Sequence, residues 1–278
     1  MGRFNASGLQ PNRSYNASNT INCPDINHRR KYMIPPIIHY CWFGKQPKSK
    51  LIQKCIASWQ QFMPNWEVRE WNEDNYNIDQ NEYMQEAYHN GKWAFVVDSA
   101  RFDILNRHGG IFLDADVELL RPIPKEILAH SGFTGFEGDT TVAPGLIFAS
   151  LPQQPILTAI VEVYNHKEFG KTKNNGRLET IVDIVTDILV QNGMKQNNTY
   201  QVVAGMAIYP KDFFCAFNPE IQNFELTSNT VSIHHYAASW SPWYRRLRFR
   251  TIKWIATILG KKNYLGLKRV IKGTTRTP

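Results

Sequence analysis

The chain has 278 residues, 42% of them hydrophobic and 20% charged, which is enough apolar material for one large α/β domain or two small ones. Its net charge of +8 is concentrated: eleven Lys and Arg and no acid fall between residues 241 and 278, leaving the first 240 residues at −3, so the basic character belongs to one tail and not to the fold. Four cysteines (Cys23, Cys41, Cys55, Cys215) without CxxC spacing argue against a zinc site or a disulfide framework, and the absence of a long apolar run or an apolar leader argues against a transmembrane helix or secretory signal.

Residues 1–32 are rich in Asn and Ser, show no periodicity, and read as a disordered tail, so the folded domain is expected to begin at Met33. The Asn-x-Ser triplets at Asn5, Asn12 and Asn16 read as chance matches without a signal peptide. From Ile34 to Trp42 an apolar run bounded by Pro36 and Gly44 predicts a buried strand. Leu51, Ile52, Cys55, Ile56, Trp59 and Phe62 recur at helical spacing over residues 49–62, and Trp66, Val68 and Trp71 suggest a second strand. A helix over 94–107 is stopped by Gly109 and Gly110, and Ile111–Leu113 forms a short apolar strand. Strands follow at Phe133–Phe136, Leu146–Ala149 and Val231 to His234 or His235, with helices at 155–165 and 177–192. This alternation predicts an α/β fold, a mostly parallel sheet flanked by helices, over residues 33–240. Neither GxGxxG nor a Walker-type glycine loop occurs.

Asp114 and Asp116 lie just past the strand at Ile111–Leu113, separated by the small Ala115. Two carboxylates so placed can turn toward one hard divalent cation, and the carboxyl ends of parallel strands are where ligands bind in such sheets. The job of a cation there would be to neutralise a diphosphate leaving group as a glycosidic bond breaks. Alone, the triplet also reads as a solvated turn or a helix cap.

The wider segment, from Asp98-Ser-Ala-Arg101-Phe-Asp103 through Arg107-His-Gly109-Gly110 to Phe112-Leu-Asp114-Ala-Asp116, resembles the sugar-binding region of glycosyltransferase family 32. The same region is shared more distantly with clostridial glucosylating toxins and yeast-type initiating mannosyltransferases. His39-Tyr-Cys-Trp42-Phe-Gly44 resembles the family's opening strand. Ser58-Trp59, Pro64-Asn-Trp66-Glu67 and Trp71-Asn72 are similar to its next block, and His234-His235-Tyr-Ala-Ala-Ser239-Trp240 to its closing signature. These blocks, in order, cover most of residues 34–240.

The resemblance implies a GT-A type, Rossmann-like, retaining glycosyltransferase using Mn2+ or Mg2+ and a nucleotide-sugar, probed first as UDP-linked with GDP-mannose as the alternative. It implies that Trp42 stacks on the base, Asp98 and Arg101 hold sugar hydroxyls, Phe112 lines the nucleoside pocket and Asp114 reaches the ribose. Asp116 would ligate the metal directly, His234 would be the third ligand, and Ser239 with the Trp240 indole would bind the β-phosphate from a mobile loop. Competing readings are core aromatics for Trp42 and Phe112, a helix-surface ion pair for Asp98 and Arg101, and a satisfied buried imidazole for His234. Because neighbours on a strand face opposite ways, only one of His234 and His235 can serve. Glu179 and Thr180, at a predicted helix start, either face the site or, for Glu179, serve only as an acid favoured by the helix dipole, and front-face displacement is expected because no carboxylate stands out as a nucleophile.

Residues 242–259 interleave Trp243, Tyr244, Leu247, Phe249, Ile252 and Trp254 with Arg and Lys, the composition of a helix that lies on an anionic membrane surface. Nucleic-acid binding is a weaker reading, and a helix packed on the domain is another. The expected setting is bacterial surface-polysaccharide assembly (O-antigen or capsule) on the cytoplasmic face of the inner membrane, with a lipid-linked or oligosaccharide acceptor. A haloacid-dehalogenase-like phosphatase is disfavoured because Val117 and Glu118 follow Asp116. A non-catalytic carbohydrate-binding protein is the remaining alternative.

Overall fold

The computed structural model describes residues 33–170, 178–237, 258–260 and 263–264. Expectations made for residues 1–32, for Ser239 and Trp240, and for nearly all of the basic tail lie outside the described residues. Strand β1 (Ile37–Cys41) leads to helix α1 (Lys50–Phe62), whose first turn is capped by the Ser49 hydroxyl accepting from Ile52 N–H. Ile52, Cys55 and Trp59 recur along one face of that helix and are buried, as the period requires. β2 (Glu67–Trp71) is followed by a 3-10 turn (Ile78–Gln80), α2 (Glu82–His89) and α3 (Trp93–His108). α3 ends at Gly109 and feeds β3 (Gly110–Phe112). Gly110 is in the left-handed region at φ 101°, and a Cβ there would overlap the Ile37 carbonyl and the His39 ring.

β4 (Val117–Leu119), α4 (Lys125–Leu128), β5 (Gly132–Gly135), β6 (Phe148–Ser150), α5 (Pro155–Asn165) and α6 (Ile181–Gln191) follow. The described chain continues through β7 (Gln201–Val203), β8 (Met206–Tyr209), α7 (Lys211–Phe214), β9 (Phe217–Asn218), β10 (Asn223–Phe224) and β11 (Ser232–His234). The helix expected at 177–192 begins only at Ile181, where Thr180 and Asp183 form a reciprocal capping box.

The central sheet has the order β2-β1-β3-β6-β5-β8-β7. β1 is parallel to β2 and β3, and β5 is parallel to β8, while β6 runs antiparallel between β3 and β5 and β7 antiparallel to β8. Five of the seven strands therefore point one way, giving the mostly parallel α/β sheet flanked by helices that the sequence predicts. Residues of α2, α3, α5 and α6 form one apolar cluster, and residues of α1, α4, β4 and α7 form the other. Alternation along β3 divides them: Ile111 enters the second cluster and Phe112 the first.

Two of the sequence blocks prove to be scaffold. His39 is fully buried; its Nε2 donates to the Gly109 carbonyl at 2.9 Å and its Nδ1 accepts from the Trp71 indole at 3.1 Å. Burial outweighs the Gly109 contact and lowers its pKa to about 4, so a neutral ring joins β1, β2 and the end of α3. The buried Trp59 indole donates to the Val117 carbonyl at 2.8 Å, and the Ser58 hydroxyl accepts from Leu119 N–H at 3.0 Å. The Ser-Trp pair thus holds β4, which pairs antiparallel with β11 to form a separate two-stranded ladder. Trp59→Phe leaves a void in the core and orphans a buried carbonyl, and is expected to lower unfolding free energy in a denaturant melt by at least about 1–3 kcal/mol.

Candidate active site

The carboxyl end of β3 delivers Asp114 and Asp116 into a tight turn in which Val117 N–H donates to the Asp114 carbonyl at 2.9 Å. Asp114 N–H donates to the Gly145 carbonyl at 3.2 Å, and a Cβ on Gly145 would overlap Asp114 Oδ2, so this approach requires a residue without a side chain. From α3, Arg101 Nη2 donates to Asp114 Oδ1 and lies 4.0 Å from Asp98 Oδ1. Arg101 is only 1% exposed, and its guanidinium carbon sits 4.9 Å above the centroid of the Phe112 ring. The helix-surface ion pair admitted by the sequence is thereby corrected: the guanidinium is buried because α3 packs beneath the sheet. Its Nε and Nη1 are buried without a hydrogen-bond partner among the described residues. Burial pushes the Asp98 carboxyl up to about 7, against the pull of Arg101. Burial likewise raises that of Asp114.

Asp116 is enclosed by the segment after β11. His234 Nε2 lies 2.8 Å from Asp116 Oδ1, Ala237 N–H donates to Oδ2 at 2.8 Å, and His235 N–H donates to the Asp116 carbonyl at 3.0 Å. Burial works to raise the Asp116 carboxyl, but the His234 imidazole and the Ala237 amide outweigh it and hold it down at about 2. Burial works to lower His234, and Asp116 outweighs it and raises the imidazole above its ordinary value. The neighbouring His235 turns the other way, with Nε2 2.7 Å from Glu118 Oε2, where Lys54 also pairs with Glu118. Of the two histidines, His234 alone sits with the acidic pair, as alternation along a strand demands.

Asp114, Asp116 and His234 each present one donor atom, all within 4.8 Å of one another. Two carboxylate oxygens and one imidazole nitrogen, with directions left for phosphate oxygens and water, fit Mn2+ or Mg2+. Trp42, at the end of β1, is half-buried, its indole donating to the Gln46 carbonyl at 2.6 Å and Lys48 Nζ 5.5 Å from the ring. Phe112 has no exposed surface, and what its face touches is the Arg101 guanidinium. Glu179 pairs with Lys167, and Thr180 is occupied as a cap.

Residues missed in the sequence are Gly145, Glu137, Tyr236 and Ala237. Tyr236 donates its hydroxyl to Glu137 Oε1 at 2.9 Å, and its ring lies 4.2 Å from that of His234. Glu137 follows a predicted strand as Asp114 follows its own, a signal that could have found it.

Residues 12–200 match the family model of the capsular polysaccharide synthesis proteins. The chain belongs to that family. No curated protein matches it. Among solved structures this capsular polysaccharide synthesis protein is similar to the PaToxG glycosyltransferase, at 19% identity over 57% of this chain and 70% of that one with a TM-score of 0.42. It is also similar to a glycosyltransferase involved in the glycosylation of the major capsid of PBCV-1, at 12% identity over 79% of this chain and 99% of that one with a TM-score of 0.43.

The pairing of His234 with Asp116 has a signed pH dependence. The depressed Asp116 carboxyl contributes stability above its ordinary value of 3.8, which is lost as pH falls toward 2. The raised imidazole contributes stability that is complete below 6.5 and is lost as pH rises through its folded-state value. In EDTA, the melting temperature of the wild-type family member is expected to exceed that of Asp116→Asn most between about pH 4 and 6.5, with the gap narrowing on both sides.

Proposed function

We propose that this capsular polysaccharide synthesis protein is a divalent-cation-dependent, retaining glycosyltransferase akin to glycosyltransferase family 32. It moves a hexose or N-acetylhexosamine from a nucleotide-sugar, UDP-linked, to a saccharide acceptor of a bacterial surface polysaccharide. The observation that carries this reading is the convergence of Asp114, Asp116 and His234 at the carboxyl end of a parallel strand, beside a buried Arg101 with N–H groups still unspent.

Bound there, Mn2+ or Mg2+ would neutralise the charge of the departing nucleoside diphosphate. Arg101 fixes Asp114 through one N–H and keeps others for a donor oxygen. Asp98, with its carboxyl near neutrality, both donates to and accepts from sugar hydroxyls. Phe112 supports the guanidinium from below, and Trp42 offers a face for the base. The family resemblance assigns Ser239 and Trp240, which lie outside the described residues, to hydrogen bonds with the β-phosphate.

A thermal-shift screen of UDP- and GDP-sugars with Mn2+ tests the reading. At least one nucleotide-sugar is expected to raise the melting temperature only with the cation, and no response to any of them would sink it. Asp116→Asn is expected to stay folded and to lose metal-dependent release of nucleoside diphosphate by more than about a hundredfold, with no turnover of simple phosphoesters by either protein.

The setting we propose is the cytoplasmic face of the bacterial inner membrane, with a lipid-linked acceptor and the basic tail on anionic lipid. Among the described residues no helix is long and apolar enough to cross a membrane. The support is the tail's composition, eleven cations interleaved with aromatic and aliphatic residues. The full chain is expected to float with anionic liposomes and the chain lacking residues 242–278 to stay behind; equal flotation would refute the membrane role.

A further inference from the structure

A side chain with no part in the reaction stands against the proposed cation ligands. Tyr236 follows His234 by two residues, just past the end of β11, and their ring centroids are 4.2 Å apart at an interplanar angle of 47°. Its ring also packs on Phe217 at 4.8 Å. The hydroxyl donates to Glu137 Oε1 at 2.9 Å and lies 3.3 Å from Cys215 Sγ. At φ 48° the Tyr236 backbone is left-handed, a conformation that a bulky residue keeps only where its surroundings enforce it. The side chain is thus held at its ring, its hydroxyl and its backbone.

Glu137 comes from a different part of the fold. It lies just past β5, which runs in the same direction as β3, so it leaves the sheet at the edge where Asp114 and Asp116 stand. One of its oxygens is committed to Tyr236, and the other has no hydrogen-bond partner among the described residues. The chain of contacts runs from β5 through Glu137 and Tyr236 to His234, and on to Asp116 at 2.8 Å. An imidazole gives a cation only the nitrogen that its orientation presents, so whatever fixes the ring plane fixes the ligand.

We propose that Glu137 and Tyr236 are positioning residues for the cation site, the carboxylate anchoring the phenol and the anchored ring setting the plane of the His234 imidazole. This rests on the reading of Asp114, Asp116 and His234 as cation ligands. Neither residue touches the reacting atoms. Their effect appears as affinity for the cation, with or without a sugar donor.

The test uses the full chain stripped with EDTA and titrated with Mn2+, the free ion being followed by its paramagnetic resonance signal. Tyr236→Phe keeps the ring and deletes the hydroxyl; Glu137→Gln keeps the shape and removes the charge. Each is expected to weaken Mn2+ binding by about tenfold or more at a melting temperature close to that of the wild type. Both changes act on one hydrogen bond, so the double variant is expected to bind no more weakly than the worse single. Wild-type Mn2+ affinity in both folded single variants, or losses that simply add in the double, would overturn the positioning role while leaving the cation site standing. A wild-type chain that takes up no Mn2+ would overturn the site and this inference together.

Discussion

A guanidinium removed from water has to find a carboxylate, and the burial of Arg101 against Asp114 constrains much of what surrounds it. α3 brings the cation beneath the sheet, and β3 brings the anion to the sheet's edge only one short turn later. The turn between them closes on the His39 side chain, which leaves no space for a Cβ at Gly110. Phe112 lies under the guanidinium, and Gly145 leaves room beside the carboxylate. Removing one partner of such a pair leaves an uncompensated buried charge, a loss of about 3–5 kcal/mol. The site is therefore built into the fold's electrostatics and is not an ornament on a loop.

Part of the fold could be read from the sequence because α1 and α5 carry an apolar period and α3 ends on the Gly109–Gly110 pair. The helix expected over 155–165 has the bounds of α5, and those expected over 49–62 and 94–107 match α1 and α3 to within a residue at each end. β4, β7 and β8, each three or four residues long, and helix α2 were not foreseen. The pairing of β4 with β11 joins segments from the middle and the end of the described domain, and no local pattern encodes it.

The site divides in the same way. Asp114, Asp116 and His234 were legible because their side chains have recognisable chemistry and sit within the resembling blocks. Ala237 acts through a backbone N–H that every residue except proline possesses, so nothing in its identity marks it. Gly145 matters for what it lacks. Spacing alone put Asp98 and Arg101 on one helix face but could not say whether that face met water or protein. His39 and His234 show how far environment overrides residue type: His39 receives an indole N–H and stays neutral, whereas His234 receives a carboxylate and holds its proton more tightly.

The doubled histidine at the end of β11 carries a hazard of its own. A strand that slips by one residue presents its other face, and here the slip would place His235 where His234 now stands, an imidazole for an imidazole. The charge pattern around Asp116 is therefore nearly blind to the error. What tells the two alignments apart is bulk: the slip would drive Ile233 into the fully buried place that Ser232 occupies against Leu119, and would expose the neighbouring seats to the wrong volumes. Correct spelling of the site is thus enforced by a small serine that never meets the acidic pair, a proofreading of shape where polarity cannot discriminate.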